Sequence, residues 1–289
     1  MVTDVLEKFG DWIKSLIIPH LMDLLSGMFN DVNSQVGSIA SDVATTPSAF
    51  SPAIFGMIKN ISDNVMMPIA GIILTFIACY ELIQMVVGYN NLANFETWFI
   101  FRWIFKTFLA VELITHTFDI TMAVFDVTQH VISGAGGLIA GGTAVDSNAL
   151  SSMQTTIEAM NVFGVFFLFL QVWVVQLLTL LMSKIIFVII YSRMIEIYLW
   201  VSLAPIPFAT FANKDQSAIG QNYFRGLLAL GFQGFLIMIC VGIYAVLIST
   251  ITFSSDIIGS LWGVFGYTVL LAFTLLKTNS IAKVIFQVH

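Results

Sequence analysis

Residues 196–211, EIYLWVSLAPIPFATF, decide how this chain has to be folded. The stretch is apolar enough to lie in lipid, yet Pro205 and Pro207 both lack a backbone donor and bias the residues before them toward extended backbone. A helix entering from Glu196 and Trp200 therefore ends near Leu203. That helix closes an apolar run which begins at Val162 and reaches Ala204, about twice the roughly 20 residues that one bilayer crossing needs. Whether the run crosses once, with a long extension, or twice sets the topology of everything after it.

Composition limits the choices. Of 289 residues, 58% are hydrophobic and only 10% charged, with a mean hydropathy of +0.94, where a soluble domain carries about a quarter charged residues. A water-soluble globule is excluded. The net charge of -6 arises from sparse ionisable groups and gives no basic patch of the kind a free nucleic-acid binder needs. Cys79 and Cys240 lie in apolar runs and read as small hydrophobes, not as disulfide partners or metal ligands. The first 30 residues carry Asp4, Glu7, Lys8, Asp11, Lys14 and Asp23 without an apolar core and small-residue cleavage site, so no secretory signal peptide is expected.

Outward from the proline pair, residues 1–30 space apolar side chains such as Phe9, Trp12, Leu16 and Leu21 by three and four and predict an amphipathic helix. It suits a membrane interface and a partner protomer alike. Residues 31–64, polar and containing Pro47 and Pro52, read as an extracytoplasmic linker. Residues 65–125 form a transmembrane hairpin joined through Tyr89, Asn90, Asn91 and Asn94, and residues 126–161 a Gly-rich extracytoplasmic loop. Residues 162–204 are the long third helix, and 205–225 a proline elbow and loop on the cytoplasmic side. Residues 226–278 supply transmembrane helices four and five, and 279–289 a cytoplasmic tail.

Charge placement selects the single crossing. No Lys or Arg lies between Thr107 and Ser183, so the Gly-rich stretch is expected on the translocated side. One crossing by residues 162–204 then places Arg102, Lys106, Lys184, Arg193, Lys214, Arg225, Lys277 and Lys283 on or near the cytoplasmic side and leaves only Lys8, Lys14 and Lys59 outside. A second crossing would export Lys277 and Lys283. The expected fold is an all-α integral membrane protein of about five transmembrane helices, N-terminus outside and C-terminus inside. No internal repeat is visible, which argues against a repeat-built transporter.

Charged side chains inside a membrane require a partner or a function. Glu81 and Arg102 lie at similar depth in the hairpin and are expected to pair, with Lys106 as the other candidate; the plain reading is that such a pair sets hairpin register. Glu112, His116 and Asp119 share a helix face, and Gln171 or Gln176 is expected within reach of Glu112. A hydrogen-bonded interhelical patch explains them more simply than a proton relay or a metal site, since no HExxH or CxxC pattern occurs. Residues 131–142, VISGAGGLIAGG, lack the following lysine of a phosphate-cradling loop and read as close packing. Lys184, Arg193, Lys214, Arg225, Lys277 and Lys283 form a candidate cytoplasmic basic face, for which positive-inside topology is a sufficient explanation. No catalytic residue, metal site or cofactor is expected.

Residues 192–211 (SRMIEIYLWVSLAPIPFATF), 222–247 (NYFRGLLALGFQGFLIMICVGIYAVL) and 277–286 (KTNSIAKVIF) together resemble the polytopic TrbL-type inner-membrane subunit of conjugative type IV secretion systems, in particular those of Gram-positive conjugative elements. The similarity is strongest over 184–289 and weaker over 65–124; its core is the Ala204 to Pro207 run ahead of a span containing Gln233 and Gly234. The resemblance implies a non-catalytic, homo-oligomeric channel scaffold in the cell membrane, surrounded by lipid. Its implied partners are other secretion subunits, including the ATPase and coupling protein, with transient contact to single-stranded DNA and its relaxase. A small-solute transporter or ion channel is the alternative, and a holin-like pore a more distant one.

Overall fold

A computed structural model describes residues 2–88, 97–139, 147–251 and 257–288, and among them every regular element is a helix. Helix α1 spans Val2–Ala44, α2 Pro47–Phe50, α3 Pro52–Ile61 and α4 Met67–Gly88, with a π-helical turn over Ser62–Met66. Then come α5 (Thr97–Thr115), α6 (Thr117–Ile139), α7 (Ser147–Ala159), α8 (Val162–Leu203) and α9 (Pro205–Ala209). A 3-10 turn over Thr210–Ala212 leads to α10 (Ser217–Ser249) and α11 (Ile257–Ile285). Four helical stretches are long and apolar enough to cross a membrane: Pro52–Val87, α8, α10 and α11; the bent pair α5 and α6 makes a fifth if it is one span. Helices satisfy their own backbone polar groups, the condition for lying in lipid. The hairpin link at Tyr89 to Asn94 and the last glycines of the Gly-rich stretch, Gly141 and Gly142, lie outside the described residues.

Three expected boundaries change. The N-terminal helix does not stop at residue 30: α1 continues to Ala44 because its buried stripe does, through Val32, Val36, Ile39 and Val43. The second span is not straight, since α5 and α6 meet at His116 with a bend of 64°. No proline causes it. The hydroxyl of Thr115 donates to the Val111 and Glu112 carbonyls and that of Thr117 to the Leu113 carbonyl, and such back-bonding competes with the helix ladder. Much of the expected Gly-rich loop is helical too, in α6 and α7. Gly136 permits close approach there, for a β-carbon on it would lie 2.7 Å from Met238 Cε.

The chain divides into two compact units. The first comprises residues 1–44, 133–190 and 237–277. In it α1 buries Leu21, Leu25, Met28 and Phe29 and packs on α7, whose Met153 and Ile157 are buried. Phe9, Trp12 and Leu16, in the early turns of α1, remain exposed.

The second unit comprises residues 45–132, 191–236 and 278–289. Thr46 and Ser51 cap α2 and α3, each of which opens on proline, the residue that tolerates a missing donor at that position. Ile58, Phe118, Phe125, Ile197, Val201 and Leu227 share one apolar cluster. The Tyr198 hydroxyl donates to the Pro47 carbonyl at 2.6 Å, and Phe50 meets Tyr191 edge-on at 4.9 Å. Part of the 31–64 linker, expected outside the cell, thus packs on residues 191–201, expected on the cytoplasmic side. Segments in contact share one depth, so those two assignments do not hold together. A charge count ranks loops by sign and is blind to apolar packing.

Candidate functional site

Helix α8 ends at Leu203, but the elbow that follows is not extended. Ala204 keeps right-handed dihedrals (φ -51, ψ -39), and Pro205 opens the five-residue α9 as its first residue. Proline at that position gives up a donor that a helix start leaves unused. Ala204, Pro205, Phe208 and Ala209 are buried. Small side chains let α9 come close to the hairpin: Ala209 and Ala212 pack among Ala70, Leu74, Ile77, Ala110 and Ile114 of α4 and α5.

Polar bonds lock the elbow to α10. The buried Thr210 hydroxyl donates to the Pro207 carbonyl at 2.7 Å and accepts from the Gly220 amide at 3.0 Å. A β-carbon at Gly220 would lie 2.8 Å from the Pro207 oxygen, so only glycine permits the approach. Asn213, 2% exposed, accepts the Asp215 amide on Oδ1 and the Ser217 amide on its carbonyl, which starts α10. Tyr223 stacks on Trp200 at 5.2 Å and donates its hydroxyl to the Trp200 carbonyl at 2.6 Å. Gly226 leaves room for the Trp200 ring.

Beyond the elbow the chain reaches the charges of the hairpin. Glu81 pairs with Lys106, not with the expected Arg102. Arg102, one turn earlier on α5, faces the same cavity without a carboxylate partner among the described residues, and Lys214 enters that cavity from the elbow side. Trp103 donates Nε1–H to the Ala78 carbonyl at 3.1 Å and ties α5 to α4.

The other candidates fall elsewhere. Glu112 and His116 are half-exposed, with Nδ1 3.6 Å from the Glu112 carboxylate and 3.1 Å from the Glu112 carbonyl. Asp119 is exposed in the first turn of α6, where a negative charge suits the helix N-terminus. Gln171 and Gln176 belong to the first unit and the Glu112 group to the second. Among the described residues no three His, Cys, Asp or Glu side chains converge as metal ligands. Cys79 and Cys240 are free thiols.

The basic face loses two members. Arg193 is only 4% exposed: Nη2 donates to the Gly231 carbonyl at 3.4 Å, while Nε and Nη1 are buried without a hydrogen-bond partner among the described residues. Lys283 is drawn to Glu196 at 3.7 Å. Lys184, Lys214, Arg225 and Lys277 remain exposed. All eight other residues over 187–195 are apolar or carry a hydroxyl, a signal of burial that charge counting overrides. Its neighbourhood explains the Gln233 and Gly234 pair: Gln233 donates to the Thr278 hydroxyl at 3.4 Å, and Gly234 makes space for the guanidinium.

A family model described as TrbL/VirB6 plasmid conjugal transfer like protein matches residues 32–205. That span takes in the hairpin and α8 and stops at Pro205, so it covers mainly the region upstream of the motifs over 192–286. No curated protein and no solved structure matches the chain.

Proposed function

The chain belongs to the TrbL/VirB6 plasmid conjugal transfer-like family, and from that premise we propose that it forms an oligomeric inner-membrane platform on which a conjugative type IV secretion machine transfers DNA. At the coarser level it is a multi-pass membrane component of such a system. The observation that carries the reading is the family match over residues 32–205, which includes the greater part of the candidate spans α4, α5, α6 and α8.

A platform of this kind works by holding geometry. The elbow supports that role: α9 is clamped between α4, α5 and α10 by buried threonine and glycine contacts, so the end of α8 has a defined direction. Energy for transfer comes in this reading from a partner ATPase, and the substrate from a coupling protein that delivers single-stranded DNA with its relaxase. The second unit carries seven of the chain's eleven basic residues, and in this reading its polar segment around Lys214, between α9 and α10, faces the cytoplasm by the positive-inside rule.

Deletion of the gene tests the reading. Conjugative transfer is expected to disappear and to return with the wild-type copy, and the protein purified in mild detergent is expected to run as a discrete multimer. A stable monomer, or flux of a defined solute through liposomes bearing this protein alone, overturns the platform.

A further inference from the structure

We propose that the cavity between α4, α5 and the elbow segment is a binding site for an anionic phospholipid, with Arg102 and Lys214 holding its phosphate. The cavity has a volume of about 500 Å³ and is lined by Glu81, Phe99, Arg102, Trp103, Lys106 and Lys214, together with Gln84 and Met85. Three cations thus face one carboxylate, and that carboxylate is engaged by Lys106. Two positive charges remain without a counter-charge among the described residues. Next to a low-dielectric region an uncompensated cation is costly, and a bound anion removes the cost.

The chemistry of the two free cations selects phosphate. A guanidinium presents a planar fork of donors that matches phosphate oxygens in pairs, and an ammonium adds a point charge. They come from different segments, Arg102 from α5 and Lys214 from the chain between α9 and α10. An anion bridging them ties the elbow to the hairpin.

The surroundings select a lipid as its source. Val87, Phe101 and Phe105 are 71%, 59% and 60% exposed on the helices that form the walls, and this apolar surface suits acyl chains. Phe99 and Trp103 line the cavity itself with rings. The site also lies near helix ends: Arg102 is five residues into α5 and Glu81 seven before the end of α4, about 10 Å at 1.5 Å per residue. A site this close to helix ends suits an acidic headgroup, as basic pockets between transmembrane helices do. A nucleic-acid strand would need a longer row of cations and a wetted groove, and two cations beside exposed phenylalanines offer neither. The inference is independent of the secretion role.

The test uses the full-length protein purified in detergent, with phosphatidylglycerol or phosphatidylcholine added and bound lipid read by native mass spectrometry. Wild type is expected to keep phosphatidylglycerol under activation that strips phosphatidylcholine. R102Q/K214Q is expected to weaken retention by about tenfold or more, the combined effect of two cations facing lipid phosphate. K184Q/K277Q, which removes two exposed basic residues elsewhere, is expected to behave as wild type. K214Q alone, in the segment between helices, carries the test if the double variant does not fold. Equal retention by wild type and R102Q/K214Q, or by the two lipids, overturns the site. Displacement of the lipid by millimolar inorganic phosphate shows that acyl chains contribute nothing and overturns the lipid assignment, as does displacement by a short oligo-dT strand.

Discussion

The guanidinium of Arg193 occupies the space that a side chain on Gly234 would fill. A β-carbon on Gly234 would lie 2.5 Å from Arg193 Nη2 and 2.5 Å from Ile132 Cδ1. Neither neighbour has room to move, since Arg193 and Ile132 are both buried. The glycine of the Gln233 and Gly234 pair is thus the seat of a buried charge from α8.

Gly234→Ala is therefore expected to destabilise the protein by about 1–3 kcal/mol, the usual cost of overpacking a filled core. A fall in the melting temperature of the detergent-solubilised protein checks this. Combining it with Arg193→Leu is expected to recover part of the loss, because the leucine is shorter and needs no hydrogen bonds. An unchanged melting temperature in the single variant would mean that the helices separate freely there.

Thr210 bonds both sides of the elbow. Thr210→Val keeps the volume and leaves the buried Gly220 amide without an acceptor, at a cost of about 1–3 kcal/mol. Thr210→Ser keeps the hydroxyl and is expected to stay near wild type in melting temperature and in conjugation frequency. If valine and serine behave alike, the hydroxyl is dispensable to the elbow.

Glu81 and Lys106 are both partly exposed, so their pair is expected to contribute no more than about 1 kcal/mol. A double-mutant cycle with Glu81→Gln and Lys106→Gln measures that coupling. The parallel cycle pairing Glu81→Gln with Arg102→Gln is expected to show less, because Arg102 makes no ion pair with Glu81. Stronger coupling to Arg102 would reverse the assignment of the pair.

Orientation has its own readout. With Cys79 and Cys240 replaced by alanine, a cysteine at Lys214 is expected to react with a membrane-impermeant maleimide only after cells are opened. A cysteine at Thr155, in the helix α7 formed within the expected extracytoplasmic stretch, is expected to react in intact cells. Labelling of position 214 from outside sinks the cytoplasmic placement of the segment between α9 and α10.

The all-helical membrane class was readable from the sequence because it follows from quantities that need no partner: hydropathy over windows of bilayer length and the scarcity of charge. The end of α8 at Leu203 was readable for a similar reason, since a proline removes a donor whatever surrounds it. The family was named from a resemblance over 192–286, and the family match over 32–205 supports that family through residues mainly upstream of those motifs.

What the sequence did not reveal depends on which surfaces meet. Lys106 and Arg102 are one turn apart, so spacing alone does not say which reaches Glu81; helix rotation decides it. The bend at His116 arises from hydroxyls of Thr115 and Thr117 that bond back onto their own helix, a choice each hydroxyl makes only in a folded context. Arg193 looked like a surface cation and Lys283 like a free one, and packing made the first a core residue and gave the second a carboxylate. Local chemistry determines where a helix starts, stops and tolerates lipid, because those interactions lie within a few residues; tertiary structure determines which charges are buried, paired or left free, because that depends on contacts between residues far apart in sequence.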